Sequence, residues 1–257
     1  MYADIEALNW SSLRHMATSP LLYRWRQDHP REDTPALALG RAVHCAILEP
    51  DLYDSRYLVR PEGLDGRTRE GKAWLADAGA SGREVLTAEQ GEVVAACAAS
   101  VLGHRHAADL LAGTRREETV TWTAPGGVAA KGRLDACSAD RLIDLKTTRE
   151  IGRFERSAAD LLYHGQLAWY RDGAVAAGAV SADAAVYIVA VETSEPYDCG
   201  VWLVPGVVLE AGRELYSRLL GIWVECRAAN IWPGRYPGIE TYELPPWAAG
   251  SVGEGGW

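Results

Sequence analysis

Residues 131–146 read Lys-Gly-Arg-Leu-Asp-Ala-Cys-Ser-Ala-Asp-Arg-Leu-Ile-Asp-Leu-Lys. Polar and apolar residues alternate over 133–137 and again over 142–146, which is typical of β-strands with two different faces. Between them, Ser-Ala-Asp at 138–140 supplies turn-forming residues. The stretch therefore predicts a β-hairpin, and the rest of the chain is interpreted around it.

The second predicted strand has one polar and one apolar face. Because side chains alternate along a strand, Asp144 and Lys146 share one face, whereas Ile143 and Leu145 share the other. Asp135, on the first strand, brings a second carboxylate to the same end of the hairpin. Two carboxylates and one amine are thus expected to converge, with apolar residues anchoring the opposite face.

Such a group can hold a hard cation. Asp135 and Asp144 offer charged oxygens and the carbonyl of Leu145 offers a third ligand, while Mg²⁺ takes few protein oxygens and keeps waters and substrate phosphate. Lys146 is then placed to stabilise a nucleophilic water or the charge that develops on a phosphodiester. The alternative is a solvated hairpin whose charges pair at the surface.

The hairpin resembles the signature of the PD-(D/E)XK nuclease superfamily, an acidic residue on one strand and acidic-x-Lys on the next. Asp135 matches the first position and residues 144–146 match the second, although Leu134 stands where the signature has proline. Upstream, residues 40–50 contain Gly-Arg-Ala-Val-His and Leu-Glu-Pro, and downstream, residues 166–170 read Gln-Leu-Ala-Trp-Tyr. Together these segments resemble, from about residue 11 to 232, the exonuclease branch that includes phage-type exodeoxyribonuclease VIII.

The resemblance implies further site residues. His44 would be a metal ligand, although a lone histidine in a helix is more often a packed or surface residue. Glu117 would join the metal shell, since its spacing to Trp122 matches the family, whereas Glu118 would point to the opposite face. The expected site is completed by Gln166, which would orient ligands or water, and by Tyr170, which would lie near the DNA backbone. An amphipathic core helix is the alternative for these last two.

The expected fold is α/β, with a mixed central sheet of about five strands flanked by helices, a restriction-endonuclease-like core and an N-terminal helical extension. We expect one nuclease domain over 1–232 and a tail rich in proline and glycine over 233–257. Other local patterns predict a strand over 53–60 and a single helix over about 154–177.

The function that the resemblance implies is a DNA exonuclease that depends on one or two Mg²⁺ or Mn²⁺ ions. It would digest double-stranded DNA 5′→3′ from free ends and leave 3′ single strands for an annealing partner protein, as a homo-oligomeric ring of phage or prophage origin. Two alternatives stay open: a structure-specific or restriction-type endonuclease of the same superfamily, and a non-catalytic DNA-binding or assembly module.

The amino-acid composition limits these functional interpretations. The 257 residues carry a net charge of −9, which argues against a simple nucleic-acid binder, because affinity for nucleic acid usually comes from neutralising phosphates. An acidic total still permits a locally basic channel, and arginines and lysines are frequent in the first half of the chain. The five cysteines are scattered and never spaced as Cys-x-x-Cys, so we expect reduced thiols and no iron–sulfur cluster.

The sequence also bears on location. No stretch approaches about 18 consecutive apolar residues, and the start of the chain lacks a basic region followed by an apolar run. We therefore expect a cytoplasmic protein, neither membrane-spanning nor exported by a standard signal.

Overall fold

The structure, a computed structural model, describes residues 2–30 and 32–244. The predicted tail lies outside the described residues from residue 245 onward. Residues 233–244 contain no helix or strand, and the N–H of Leu21 donates to the carbonyl of Pro233 at 3.0 Å. Next to this contact, Trp232 stacks on Tyr23 with ring centroids 5.3 Å apart.

The first half of the chain is mainly helical. Its elements are α1 (Trp10–Leu13), α2 (Pro20–Asp28), α3 (Pro35–Leu48), α4 (Pro50–Arg56), β1 (Tyr57–Val59), α5 (Arg69–Ala80), β2 (Glu84–Leu86), α6 (Ala88–Gly103) and α7 (Arg105–Leu111).

Side-chain caps explain where several of these helices begin. Ser19 and Thr34 each precede a proline and accept a hydrogen bond from the backbone three residues on, which satisfies an N–H that the helix itself leaves free. Thr87 and Gln90 form a reciprocal capping box at the start of α6. Each of these three starts has a recognisable sequence signal, either serine or threonine before proline or threonine three residues before glutamine.

The second half builds the central sheet. Its elements are β3 (Arg115–Ala124), β4 (Val128–Ser138), β5 (Arg141–Thr148), α8 (Phe154–Asp160), α9 (Tyr163–Ala176), β6 (Ala185–Glu192), β7 (Cys199–Val204) and α10 (Gly206–Ala229).

The five strands lie in the order β3-β4-β5-β6-β7. Strands β5 and β6 are parallel and are joined by a crossover through α8 and α9, whereas the other neighbours are antiparallel. The predicted α/β fold with a mixed five-stranded sheet and flanking helices is confirmed, and so is the hairpin formed by β4 and β5.

Helices cover both faces of the sheet. Ile143 and Leu145 are fully buried against a cluster that includes residues of α3 and α6, while Leu142 is buried on the other face with residues of α9. The predicted apolar face of β5 is therefore confirmed. Burial of a strand on both faces is usual where a sheet contains a helical crossover.

A polar network ties the crossover to the last helix. Asp172 of α9 accepts two hydrogen bonds from the guanidinium of Arg213, at 2.7 and 3.0 Å, and a third from the hydroxyl of Tyr216 at 2.8 Å. Burial raises the pKa of Asp172, but these hydrogen bonds outweigh it, so the pKa lies below its ordinary value. The carboxylate is therefore charged in the folded protein.

Two local predictions were wrong. Residues 53–60 form the end of α4 and the short β1 rather than one strand, because Pro50 both ends α3 and begins a new helix. The helix predicted over 154–177 is divided at Leu162, which has a left-handed backbone with φ of 59°. No glycine or proline stands at that break, so the local sequence gave no sign of it.

Over the described ranges 2–30 and 32–244, no helix combines the length and apolar character that a membrane span requires.

Candidate metal centre and active-site cleft

A cleft of about 450 Å³ opens where the central hairpin meets α3 and α9. Residues on its walls come from α3, α4, β1, the three strands β3, β4 and β5, and α9. They are Ala36, Leu37, Gly40, Arg41, His44, Cys45, Glu49, Arg56, Tyr57, Glu117, Arg133, Asp135, Leu145, Lys146, Thr147, Tyr163 and Tyr170.

The hairpin strands separate at the floor of this cleft. β4 and β5 pair only from Ala136 with Ile143 to the turn, so the positions of Asp135 and Asp144 lie just beyond the paired part. In place of a ladder bond, the N–H of Leu145 donates to Asp135 Oδ2 at 2.7 Å. The separation lets a carboxylate occupy space that a regular ladder would fill.

Glu117 interrupts the ladder on the other side of β4. Its neighbours pair regularly, Arg116 with Ala136 and Glu118 with Leu134, but the Glu117 position facing Asp135 does not. Glu117 has a left-handed backbone with φ of 50°, which is uncommon for a residue other than glycine and is found where surrounding structure enforces it.

The two glutamates therefore have different surroundings. The Glu117 carboxylate joins His44 and Asp135 in a cluster whose ligand atoms all lie within 4.8 Å of one another. Glu118 instead pairs with Arg115 on the surface at 3.7 Å. The choice of Glu117 over Glu118 as a metal ligand stays a prediction, which this arrangement supports.

Close packing of α3 on β5 brings His44 into the site. A Cβ at Gly40 would lie 3.3 Å from the Thr147 hydroxyl, which is tighter than an ordinary contact, so the threonine side chain would have to move by a few tenths of an ångström. One helical turn later, His44 Nδ1 lies 3.9 Å from Asp135 Oδ2. Burial and the charge of Lys146 lower the pKa of His44 to about 4, so its imidazole is neutral at physiological pH and has a lone pair for a metal.

Asp144 and Lys146 form a buried ion pair beside this cluster. Lys146 Nζ lies 2.6 Å from Asp144 Oδ2, and the Asp144 side chain is only 3% exposed. Burial lowers the pKa of Lys146, but Asp144 and Asp135 raise it more strongly, so the ammonium stays charged. The ammonium also lies 4.7 Å from the centre of the Tyr163 ring. Asp144 therefore faces the lysine rather than joining the three-residue cluster.

The cluster has the chemistry of a cation site. Burial raises the pKa of Asp135, and burial together with the nearby Asp135 charge raises the pKa of Glu117 to about 7. Both shifts come mainly from burial, which disfavours the ionised carboxylates, and the nearby Lys146 and Arg133 offset it only in part. Two carboxylates and a neutral imidazole fit a divalent cation such as Mg²⁺ or Mn²⁺, which would stabilise the ionised form of both acids. The carbonyl of Leu145 stays a predicted ligand.

A family described as "PDDEXK-like domain of unknown function (DUF3799)" matches residues 10–244. The chain belongs to this family of PD-(D/E)XK-like domains. Members of this superfamily that act as nucleases use divalent metals, in agreement with the donor set described above. No curated protein sequence matches the chain.

Among solved structures, the chain is similar to one from Eubacterium rectale that is described as a "Putative exonuclease". The two share 13% of their residues at a TM-score of 0.66, over 98% of this chain and 95% of that one. At this identity the similarity concerns the PD-(D/E)XK-like fold. The finer resemblance to exodeoxyribonuclease VIII stays a prediction.

Gln166 and Tyr170 of the PD-(D/E)XK-like domain lie one helical turn apart on α9 and contact each other. Tyr170 lines the cleft, and a side chain at Gly132 would have its Cβ 3.0 Å from the tyrosine ring. Burial raises the pKa of Tyr170, partly offset by a hydrogen bond with the Gln166 side chain. Gln166 is not part of the cleft wall, so it reaches the site through Tyr170.

Sequence reasoning missed several cleft residues. Tyr163 lies two helical turns before Tyr170, so the spacing on one face of α9 could have revealed it. Arg133 lies two residues before Asp135 and follows the strand period. No helix or strand spacing in the sequence marked Arg56 as a cleft residue; its side chain binds Glu49 at 2.5 Å. Glu49 is the C-cap residue of α3 and also lines the cleft.

Proposed function

We propose that this chain is a divalent-metal-dependent deoxyribonuclease that digests duplex DNA from free ends in the 5′→3′ direction. The observation that carries the proposal is the meeting of His44, Glu117 and Asp135 in one cleft with the ion pair of Asp144 and Lys146. Membership in the PD-(D/E)XK-like family supports hydrolysis of a phosphodiester. The preference for free ends, the polarity and the duplex substrate rest on the resemblance of the motifs.

Each residue has a role that follows from its charge and position. His44, Glu117 and Asp135 would hold a cation, which when bound would lower the pKa of a water and offset the charge of the scissile phosphate. Lys146 would orient the attacking water and stabilise the negative charge that develops on the phosphate, because its ammonium is charged and fixed by Asp144.

The remaining cleft residues would receive the DNA. Tyr170 would contact the backbone, and Gln166 would fix the orientation of its hydroxyl. The net charge of −9 makes contact with DNA depend on such local groups rather than on the overall field. A ring-shaped homo-oligomer and a single-strand annealing partner stay predictions of the resemblance.

The test uses end-labelled linear duplex and closed circular duplex, each with Mg²⁺ or with EDTA. We expect Mg²⁺-dependent release of nucleotides from linear DNA, loss of the 5′ label before the 3′ label, and intact circles. Nicked or linearised circles would instead indicate an endonuclease of the same superfamily. Binding of DNA without hydrolysis under all conditions would contradict the proposal and favour a non-catalytic module.

A further inference from the structure

The cleft contains three arginines, and each is paired with a carboxylate. Arg41 binds Asp33 at 2.7 Å, and Arg56 binds Glu49 at 2.5 Å. These two partners lie outside the three-residue cluster. Both arginines can therefore keep their partners whatever happens at the cluster.

Arg133 differs from the other two because its partner belongs to the cluster. Its Nε lies 3.1 Å from Glu117 Oε2, while Glu117 also shares the site with His44 and Asp135. A divalent cation bound there would take carboxylate oxygens at about 2.0–2.6 Å, and it would repel a guanidinium on the same oxygens. A cation and Arg133 thus compete for one carboxylate.

An arginine released from Glu117 would remain at the cleft wall. The Arg133 side chain is 50% exposed, whereas Glu117 is 16% exposed, so the guanidinium occupies the outer position of the pair. The centre of the Tyr2 ring lies 5.8 Å from the guanidinium carbon of Arg133. A guanidinium offers several donors in a planar fork, and this geometry matches a phosphate group.

We propose that Arg133 is a phosphate-binding residue that Glu117 holds until a divalent cation takes the carboxylate. This proposal rests on the proposed nuclease function and implies an order of binding. The cation binds first, Arg133 is released from Glu117, and Arg133 then contacts the DNA backbone. Cation and DNA each strengthen binding of the other, because the coupling between two ligands is reciprocal.

The first experiment measures DNA binding by fluorescence anisotropy on a labelled duplex of about 20 base pairs, in EDTA and in Ca²⁺, with a gel to verify that the DNA stays intact. For the wild-type protein we expect affinity about 10-fold higher in Ca²⁺ than in EDTA, the size of one charged hydrogen-bonded contact. Arg133→Gln should lose most of this gain and keep its affinity in EDTA. In Ca²⁺ its salt dependence should also fall by about one phosphate contact.

The second arm frees the arginine without a cation. Glu117→Gln removes the carboxylate that holds Arg133, so DNA affinity in EDTA should rise about 10-fold and the effect of Ca²⁺ should shrink. In the double variant Glu117→Gln with Arg133→Gln, this rise should disappear, which a double-mutant cycle detects.

The chain offers a matched control pair on the same strand. Arg115 and Glu118 are also an arginine and a glutamate in contact, at 3.7 Å, but they lie outside the cleft wall. At about pH 8.5, where Glu117 with its pKa of about 7 is ionised, Glu118→Gln changes the net charge by the same amount as Glu117→Gln, and Arg115→Gln matches Arg133→Gln. Both controls should leave the Ca²⁺ gain unchanged and shift DNA affinity by less than about 2-fold.

A third measurement needs no DNA. Calorimetric titration of Ca²⁺ should give tighter binding in Arg133→Gln than in the wild-type protein, because the competing cation is gone. Arg115→Gln should bind Ca²⁺ as the wild-type protein does. Arg133→Lys, which keeps the charge but not the planar fork, provides a second variant if the glutamine variant does not fold.

Two results would overturn the inference. One is a Ca²⁺ gain in Arg133→Gln equal to that of the wild-type protein; the other is DNA affinity of Glu117→Gln in EDTA no higher than that of Glu118→Gln. Failure of the nuclease function would look different. In that case the wild-type protein itself would show neither Mg²⁺-dependent hydrolysis nor a Ca²⁺ gain, and both proposals would be wrong.

Discussion

Replacing Glu117 with glutamine should stabilise the metal-free protein at about pH 8 and change its stability little at about pH 4. The pKa of Glu117 is about 7 in the folded protein against an ordinary value of 4.5, mainly because the side chain is buried and next to Asp135. Glutamine has nearly the same shape but stays neutral, so the variant avoids the unfavourable ionisation of the buried Glu117 carboxyl.

The sign follows from proton binding. Below pH 4.5 the Glu117 carboxyl is protonated in both the folded and the unfolded protein, so its ionisation does not change the free energy of unfolding. Between pH 4.5 and 7 the folded protein keeps a proton that the unfolded chain releases, so the free energy of unfolding falls as pH rises. Above pH 7 the full penalty is present, and at about 1.36 kcal/mol per pH unit it amounts to about 3 kcal/mol.

The assay is urea unfolding in EDTA at a series of pH values, for the wild-type protein, Glu117→Gln and Glu118→Gln. We expect Glu117→Gln to gain about 2–3 kcal/mol at about pH 8 and less than about 0.5 kcal/mol at about pH 4, part of the gain being offset by the lost contact with Arg133. Replacing the partly exposed Glu118 should change the free energy of unfolding by less than about 0.5 kcal/mol.

Two outcomes would refute this reasoning. Glu117→Gln could be no more stable than the wild-type protein at about pH 8, or its gain could be the same at every pH. The cation provides a further comparison. Added Mg²⁺ should stabilise the wild-type protein more than the variant, because binding to the folded state alone adds to its stability and the amide is a poorer ligand.

Three further predictions concern other residues. Lys146→Ala should abolish Mg²⁺-dependent hydrolysis in a nucleotide-release assay yet keep Ca²⁺ and DNA binding. The control Lys72→Ala, at an exposed lysine, should digest DNA normally. Normal digestion by Lys146→Ala would exclude a catalytic role for Lys146. Tyr163→Leu removes the aromatic ring beside Lys146 and should lower kcat about 5- to 20-fold with KM little changed. Tyr163→Phe keeps the ring and should have a kcat close to that of the wild-type protein. An equal loss of kcat in both variants would contradict a role for the ring contact. Asp172→Asn should lower the free energy of unfolding by about 2–3 kcal/mol at neutral pH in urea unfolding, because Arg213 loses its charged acceptor. That difference should shrink as pH falls through the lowered pKa of Asp172, and a loss that persists in acid would contradict it.

Local sequence determined much of the fold. The alternation at 133–137 and 142–146 with a turn between them requires only neighbouring residues, so the hairpin could be predicted and is confirmed. The same holds for helix starts where serine or threonine precedes proline. A spacing of two also put Asp144 and Lys146 on one face, and their side chains meet at 2.6 Å.

Tertiary packing decided the rest. The left-handed backbone of Glu117 and the break at Leu162 occur at residues that disfavour this conformation, so long-range contacts must enforce both. Asp144 stays a predicted metal ligand; the structure adds that its carboxylate also pairs with Lys146 at 2.6 Å. The sequence likewise could not predict which carboxylate each cleft arginine binds.

The sequence by itself therefore determined the chemical groups of the site and the order in which they occur along the chain. Only the tertiary structure decided that His44 from a helix and Glu117 from an interrupted strand reach Asp135. The physical reason is range: strand period and helix caps depend on a few adjacent residues, whereas this cluster joins positions 44, 117 and 135 through packing of α3 on the sheet.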